Sequence, residues 1–280
     1  MDHNIRLTIA YDGNGYVGWQ RQPEDKGISV QQRVEEAVSE MLDHPATITG
    51  AGRTDSGVHA FGQVANFTCD KPVPVEKIQT ILNNILPDDI RIMEVGAAAP
   101  DFHARFTPHE KRYRYLIEQE PRVSAFANHY SWNVGEMLNI PAMQNAALAL
   151  VGEHDFRNFT LSGVSATNFV RRISSVEIYE PYESKFYFPW QQLNSPLVID
   201  VTGNGFLYKM VRLIVGRLVA VGQGRIPSRA IFGYLNGDFN ENIAPAPAQG
   251  LYLDHIWYEG DTFDDDMTDE DMYDENGLVF

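Results

Sequence analysis

The residues best suited to chemistry fall in one ten-residue string, Ala51-Gly-Arg-Thr-Asp-Ser-Gly-Val-His-Ala60. Gly52 and Gly57 bracket a polar turn, Arg53-Thr54-Asp55-Ser56, and glycines there let the backbone bend sharply and let another molecule come close. A carboxylate at the tip of such a turn can serve as nucleophile or base, and Arg53, two residues away, favours its ionised form. The same composition also makes an Asx-type turn joining two strands, and the string alone leaves both readings open. Two further groups stand out. Tyr113 and Tyr115 alternate with Arg112 and Arg114, so on a strand one face is aromatic and the other cationic. That pattern suits stacking on a nucleobase and equally suits two core tyrosines on a half-buried strand. Arg212 interrupts an apolar run; if buried it needs an acidic partner, and otherwise it turns to solvent beside Lys209. His59 and His103 sit in loops near strands and are read as structural rather than as acid–base groups.

The elements that must position these groups follow from periodicity. Residues 6–11 alternate as a strand. Ser29 and Gln32 have the spacing of a capping box ahead of a helix that runs to about residue 42. Strands over 46–50 and 63–69 flank the Asp55 string, a helix follows over 75–86, and a strand over 90–95. The order is β-α-β-β-α-β, a ferredoxin-like unit. The pattern recurs: a strand over 111–118, a helix over 141–151 behind Asn139 and stopped by Gly152, strands over 170–179 and 197–202, a long apolar helix over 206–221 and a closing strand over 251–258. Insertions are expected as a strand over 185–190 and a short helix over 228–235. The fold class is therefore α+β, with two ferredoxin-like halves and a cleft between them, a common place for a ligand. Residues 1–107 form the N-terminal half, 108–258 the C-terminal half, and 259–280 an acidic tail too poor in apolar residues to pack. Gly13-Asn-Gly-Tyr-Val-Gly18 loosely resembles a dinucleotide motif, but it opens no helix and is set aside.

Composition bounds the partners. At 280 residues, 44% hydrophobic and 21% charged, the chain can bury a sizeable core. Apolar runs fall short of a membrane span, and the first residues lack the apolar core of a secretory signal. Cys69 is the single cysteine; it forms no internal disulfide, and metal-ligand spacings are missing, so no metal and no cofactor is expected. The expectation is a cytoplasmic protein with no membrane partner. The net charge of −16 argues against nucleic acid at first sight. Ten of the acidic residues, however, lie in 259–280, where there is no Lys or Arg, so the rest of the chain carries only −6. Against that body arginines cluster as Arg53, Arg105, Arg112, Arg114, Arg171, Arg172, Arg212 and Arg217, and an arginine-lined groove on an acidic body is compatible with RNA.

The string around Asp55 resembles the active-site loop of the TruA family of tRNA pseudouridine synthases. Further stretches agree in order: Tyr11-Asp-Gly with Gly18-Trp-Gln-Arg-Gln22, Phe102-His-Ala-Arg-Phe106 followed by Arg112-Tyr-Arg-Tyr115, Met210-Val-Arg-Leu-Ile-Val-Gly216, and Gly250-Leu-Tyr-Leu253. The resemblance implies a pseudouridine-synthase fold with a central, mostly antiparallel sheet. It implies isomerisation of uridine at positions 38, 39 and 40 of the tRNA anticodon stem-loop, by a homodimer and without a cofactor. It further implies that Asp55 is the nucleophile, that Tyr113 contacts the target base, and that Arg212 pairs with Asp55 across the cleft. Arg53 and Leu251 are the other expected substrate contacts. A histidine pair common in the family is replaced here by Tyr208-Lys209. The carboxylate could attack the sugar, attack the base or accept a proton. Two rivals stand beside this reading: a non-catalytic RNA-binding protein with a ferredoxin-like fold, and a hydrolase with Asp55 as nucleophile.

Overall fold

The structure is a computed structural model; it describes residues 3–70, 74–107, 109–122, 125–161, 167–180, 196–259 and 261. The first half runs β1 (His3–Tyr11), α1 (Val30–Leu42), β2 (Thr49–Gly50), β3 (His59–Cys69), α2 (Val75–Ile85) and β4 (Ile90–Ala98). The second runs β5 (His109–Glu118), β6 (Trp132–Asn133), α3 (Ile140–Ala147), β7 (Gly152–Asp155), β8 (Val170–Tyr179), β9 (Leu197–Gly203), α4 (Met210–Gly222), α5 (Ala230–Asn236) and β10 (Leu251–Tyr258). One sheet spans both, in the order β4-β1-β3-β10-β5-β9-β8-β7, with β2 beside β3 and β6 beside β5. Within it β4-β1-β3-β2 and β10-β5-β9-β8 are the same ferredoxin-like arrangement used twice. Among the described strands only the β3–β10 and β5–β6 pairs are parallel. Among the described residues no helix is long and apolar enough to cross a membrane.

Local chemistry explains these elements. In α1 the buried residues Val30, Val34, Ala37, Val38 and Leu42 make one apolar stripe. Ser29 accepts a hydrogen bond from the Gln32 N–H at its N-terminus, while the Gln32 side chain turns forward to Glu36, so only one arm of the capping box forms. On β5 the alternation sorts chemistry by face. Tyr113, Tyr115 and Ile117 join the large core that runs through both halves. Leu116 joins a small cluster on the reverse face with Val198 and Tyr252.

Several expected boundaries move. The strand over 46–50 shrinks to Thr49–Gly50. The helix over 206–221 starts only at Met210, because Lys209 takes a left-handed conformation with φ 58° and cannot continue a right-handed turn. The helix behind Asn139 ends at Ala147 and tightens into a 3-10 turn over Leu148–Leu150; Gly152 starts β7 instead of stopping a helix. The strand expected over 185–190 and nearly all of the acidic tail lie outside the described residues.

The joint between the halves is what places the Asp55 loop. Along one edge, β3 changes partner. Ala65 and Asn66 pair with Gly50 and Thr49 of β2, whereas His59 and Ala60 pair with Tyr252 and Leu253 of β10. Residues 51–58 leave the sheet in the fork between those partners. The strap after β1 supports them from below: Trp19 N–H donates to the Thr54 carbonyl (3.2 Å), and Ser56 Oγ donates to the Tyr16 carbonyl (2.9 Å). Gly18 makes that contact feasible. Its φ is +104°, and a Cβ there would lie 2.5 Å from the Thr54 carbonyl oxygen. Gly15 shares the positive φ (+83°) with nothing within 4 Å. Gly15→Ala should therefore cost roughly 1–2 kcal/mol of backbone strain, and Gly18→Ala roughly 1–3 kcal/mol more from overpacking against the loop. Urea unfolding midpoints of the two variants measure the difference.

Candidate active site

Asp55 does not pair with Arg53. The Arg53 Nε donates to Gln20 Oε1 at 3.1 Å on the cleft wall. The carboxylate instead receives Arg212 from the other half, Nη1 to Oδ2 at 2.9 Å. The two side chains are 23% and 14% exposed, far enough from bulk water for each charge to need the other. Arg212 is aimed by a second bond, Nε to the Ala246 carbonyl at 2.7 Å. The Ala246 N–H returns a bond to the Arg212 carbonyl. This segment sits close to α4 because position 216 is glycine: a Cβ there would lie 2.5 Å from the Ala244 carbonyl oxygen. Tyr115, fully buried, donates its hydroxyl to the Pro247 carbonyl (2.8 Å) and pins the same segment. The apolar helix thus turns Arg212 toward the Asp55 loop, and the glycine four residues on lets a loop orient it.

A cleft of about 740 Å³ surrounds the pair. Asp55 is its single acidic lining residue among those described, set among Arg53, Arg105, Lys111, Arg171, Lys209 and Arg212. Tyr113 and Leu251 form part of its apolar wall, both nearly buried. Phe206 meets the Tyr113 ring edge-on at 5.1 Å between centroids. Burial, with the Tyr11 phenol and the Asp55 carboxylate nearby, pushes the Tyr113 hydroxyl well above the usual phenol range, so it stays protonated as a donor. The Tyr11 hydroxyl is 2.8 Å from Thr54 Oγ1, one residue before the carboxylate. Tyr208 and Lys209 line the cleft as well, with the Lys209 ammonium 5.1 Å from the Tyr208 ring.

Other sequence candidates lie elsewhere. Arg112 and Arg114 point to the reverse face of β5, where Asp254 and Asp200 neutralise them. Arg217 is held within the core between the rings of Phe159 (4.3 Å) and Tyr234 (3.7 Å), with Nη2 donating to the Asn158 carbonyl. The arginine groove is therefore narrower than the sequence clustering suggested. His59 is buried, stacked on Tyr252 at 4.8 Å, and its Nδ1 accepts the Gly13 N–H with Asp12 Oδ1 3.1 Å away. His103 packs on Phe106 and accepts the Arg105 N–H. Among the cleft residues that went unread in the sequence are Lys111 and His109. Their signal was parity, since both share the Tyr113 side of the strand.

A family model described as tRNA pseudouridine synthase matches residues 7–107 and 146–259. Among curated proteins, the tRNA pseudouridine synthase A of Ruminiclostridium cellulolyticum is 42% identical over 255 residues, 91% of this chain and 99% of that protein. The protein of the same name from Syntrophotalea carbinolica is also 42% identical, covering 91% and 96%. That from Moorella thermoacetica is 40% identical, covering 91% and 99%.

The geometry makes Asp55 and Arg212 one unit. Asp55→Asn and Arg212→Met should each destabilise the fold, and the double variant should lose less than the two losses together. A coupling energy of about 1–3 kcal/mol is expected from urea unfolding of the four proteins. Strict additivity would show that the ion pair contributes nothing to holding the halves together.

Proposed function

This chain belongs to the tRNA pseudouridine synthase family, and from that premise we propose that it isomerises uridine to pseudouridine at positions 38, 39 and 40 of the tRNA anticodon stem-loop, with Asp55 as nucleophile. The observation that carries this reading is a carboxylate that is the single acidic group, among the described residues, of a cationic cleft, held by Arg212 at the joint of the two halves. The reaction conserves every atom of the nucleotide. The C1′–N1 bond breaks, the uracil turns while detached, a C1′–C5 bond forms, the proton leaves C5, and N1 gains one. No electron carrier or transferred group is involved. What the site must supply is a charged carboxylate, a hold on the loose base and exclusion of water.

Each requirement has a residue. Arg212 orients the Asp55 carboxylate through its Nη1, and is itself aimed by the bond from its Nε to the Ala246 carbonyl. Tyr113 presents an aromatic face and a protonated hydroxyl to a base flipped from its stack, at a cost of about a few kcal/mol to the RNA. Leu251 and Phe206 keep that wall apolar. Arg53, Arg105, Arg171 and Lys209 meet the phosphates on either side. In this reading residues 1–107 bring the nucleophile, 108–258 bring the tyrosine and the arginine, and the active unit is a cytoplasmic homodimer with tRNA lying across both subunits. A purely RNA-binding role accounts less well for the site, because a carboxylate at the centre of the groove repels phosphate and the fold holds it there with a dedicated arginine.

Asp55→Asn should abolish pseudouridine formation while leaving tRNA affinity equal or slightly improved, since one negative charge is lost near phosphate. Tyr113→Phe should retain binding and slow turnover, and Tyr113→Ala should also weaken binding by about 1–3 kcal/mol for the lost stacking. Carbodiimide mapping and mass spectrometry of tRNA treated with the purified protein read out both the modification and its position. Absence of pseudouridine with the unaltered protein, at saturating tRNA, would remove the assignment.

A further inference from the structure

The strongest unassigned group in the molecule is Lys111. It lies on β5 two residues before Tyr113 and is only 8% exposed. Its Nζ donates to the Ala51 carbonyl at 2.8 Å, a contact between residues sixty apart in the chain. Among the described residues it meets no carboxylate; its register neighbours are Ile256 on β10 and Gly203 on β9. Ala51 follows directly on the end of β2 at Gly50. Its N–H still donates to the Val64 carbonyl (2.8 Å) as the last rung toward β3, but its carbonyl has left the ladder and turned to the lysine. An ammonium has been drawn almost out of water to hold one backbone oxygen at the root of the Asp55 loop. Such burial is costly for a lysine, so a bland solvated role does not account for it.

Position 52 fits the same account. A Cβ on Gly52 would lie 3.1 Å from Lys111 Nζ and 3.8 Å from the Tyr113 hydroxyl. The backbone at Gly52 is outside the left-handed region, so conformational freedom is not why a glycine stands there. The tight contact is with the ammonium; the phenol would be at ordinary van der Waals distance.

We propose that Lys111 is a positioning residue for the Asp55 loop: its ammonium, reaching across from the second half, clamps the Ala51 carbonyl and sets the point at which the loop departs toward Arg212, with Gly52 leaving the room it requires. This rests on the assignment of Asp55 as the nucleophile and extends it to the loop's anchor. The clamp has two ends of different kinds. Arg212 holds the loop's charged tip from α4, and Lys111 holds its root from β5. Displacing a reacting group by about 1 Å can cost on the order of a hundredfold in rate, so a root contact of this kind matters without touching substrate.

The clamp also titrates in a useful range. Burial first, then the nearby Arg105 guanidinium, lower the Lys111 ammonium to about 8. The other titratable groups around it are His109 on the same strand, itself lowered by burial and by Lys111, Tyr113, which stays neutral, and the Asp55–Arg212 pair. The charged clamp is therefore present below about pH 8 and lost above it.

Single-turnover rates on tRNA, tRNA dissociation constants and loop amide exchange are to be measured from pH 6 to 10 for the full chain, Lys111→Met, Lys111→Arg, Gly52→Ala and the Met–Ala double variant. The unaltered protein should lose rate above about pH 8; Lys111→Met should turn over about a hundredfold more slowly with the dissociation constant within about threefold, and should lack that alkaline fall. Lys111→Arg should recover part of the rate and move the fall out of range. Gly52→Ala should behave like Lys111→Met, and the double variant should be no worse than either. Unchanged rate and pH profile in Lys111→Met overturns the proposal. So does a loss confined to tRNA affinity, which would make Lys111 a phosphate contact. If Lys111→Met fails to fold, Gly52→Ala decides by the same criteria. If the unaltered protein forms no pseudouridine, the functional reading fails separately, and exchange of the amides over 51–58 then decides: faster exchange in the variants supports the clamp, and equal exchange overturns it.

Discussion

The contact on which the rest depends is that between the Asp55 carboxylate and the Arg212 guanidinium. Both charges are partly withdrawn from water, and removing either partner would leave the other without its counter-charge; together they are paired and directional. The pair ties a loop of the first half to a helix of the second, so whatever fixes α4 against β3 also fixes the carboxylate. A single segment does this. Residues 244–250 accept the Arg212 Nε at Ala246 and the Tyr115 hydroxyl at Pro247. They then become β10, which pairs with β3 on one side and β5 on the other. The stretch that orients the guanidinium is continuous with the strand that joins the two halves, and an error in one is felt in the other.

Charge is sorted by the same strand geometry. On β5, side chains alternate between the cleft face and the reverse face. Arg112 and Arg114 fall on the reverse face, where Asp254 and Asp200 cancel them; Lys111 and Tyr113 fall on the cleft face. A chain with a net charge of −16 therefore presents to the cleft, among the described residues, six basic side chains and one acidic residue. Net charge describes solubility and long-range repulsion; the sign of the groove is decided by which parity each residue occupies. An anion entering meets the local field within about a Debye length, and that field is positive.

Where the sequence was legible, the reason is local. The alternation in β1 and β5 and the stripe of α1 are fixed by solvent on one side and core on the other, and these elements were read at nearly their observed positions. The repeated β-α-β-β-α-β order followed from the same patterns. Boundaries failed where tertiary contact overrode local preference. The apolar run from Phe206 onward reads as helix, but Leu207 and Lys209 form the cleft lip, and the left-handed Lys209 delays the helix to Met210. The glycine at 152 looked like a helix stop and is a strand start. In the site, Asp55, Tyr113 and Arg212 were legible from the motif strings. Lys111 was not, because a lysine on an alternating strand normally snorkels to solvent, and only the fold shows that its end meets a carbonyl sixty residues away. Arg217 shows the converse: it sits five residues after Arg212 on the same helix, yet it rotates into an aromatic cage and not into the cleft.

The two halves share a topology, yet they form one cleft, and the sheet explains why. In the second half, β9 is paired along both edges, with β5 from Leu197 to Gly203 and with β8 over nearly the same residues. No part of it is left for another strand. In the first half, the equivalent strand β3 has β1 along one edge, but β2 covers only Asn66 and Ala65 of the other. The chain turns off at Ala51, and the vacated edge at His59 and Ala60 is taken by β10. An unpaired edge is a liability that some strand must cover; here the strand that covers it comes from the other half. The departing loop is thereby trapped between its own half and its neighbour. Asp55 stands in the loop that leaves where β2 stops early, and the edge freed by that early stop is where the second half joins the first.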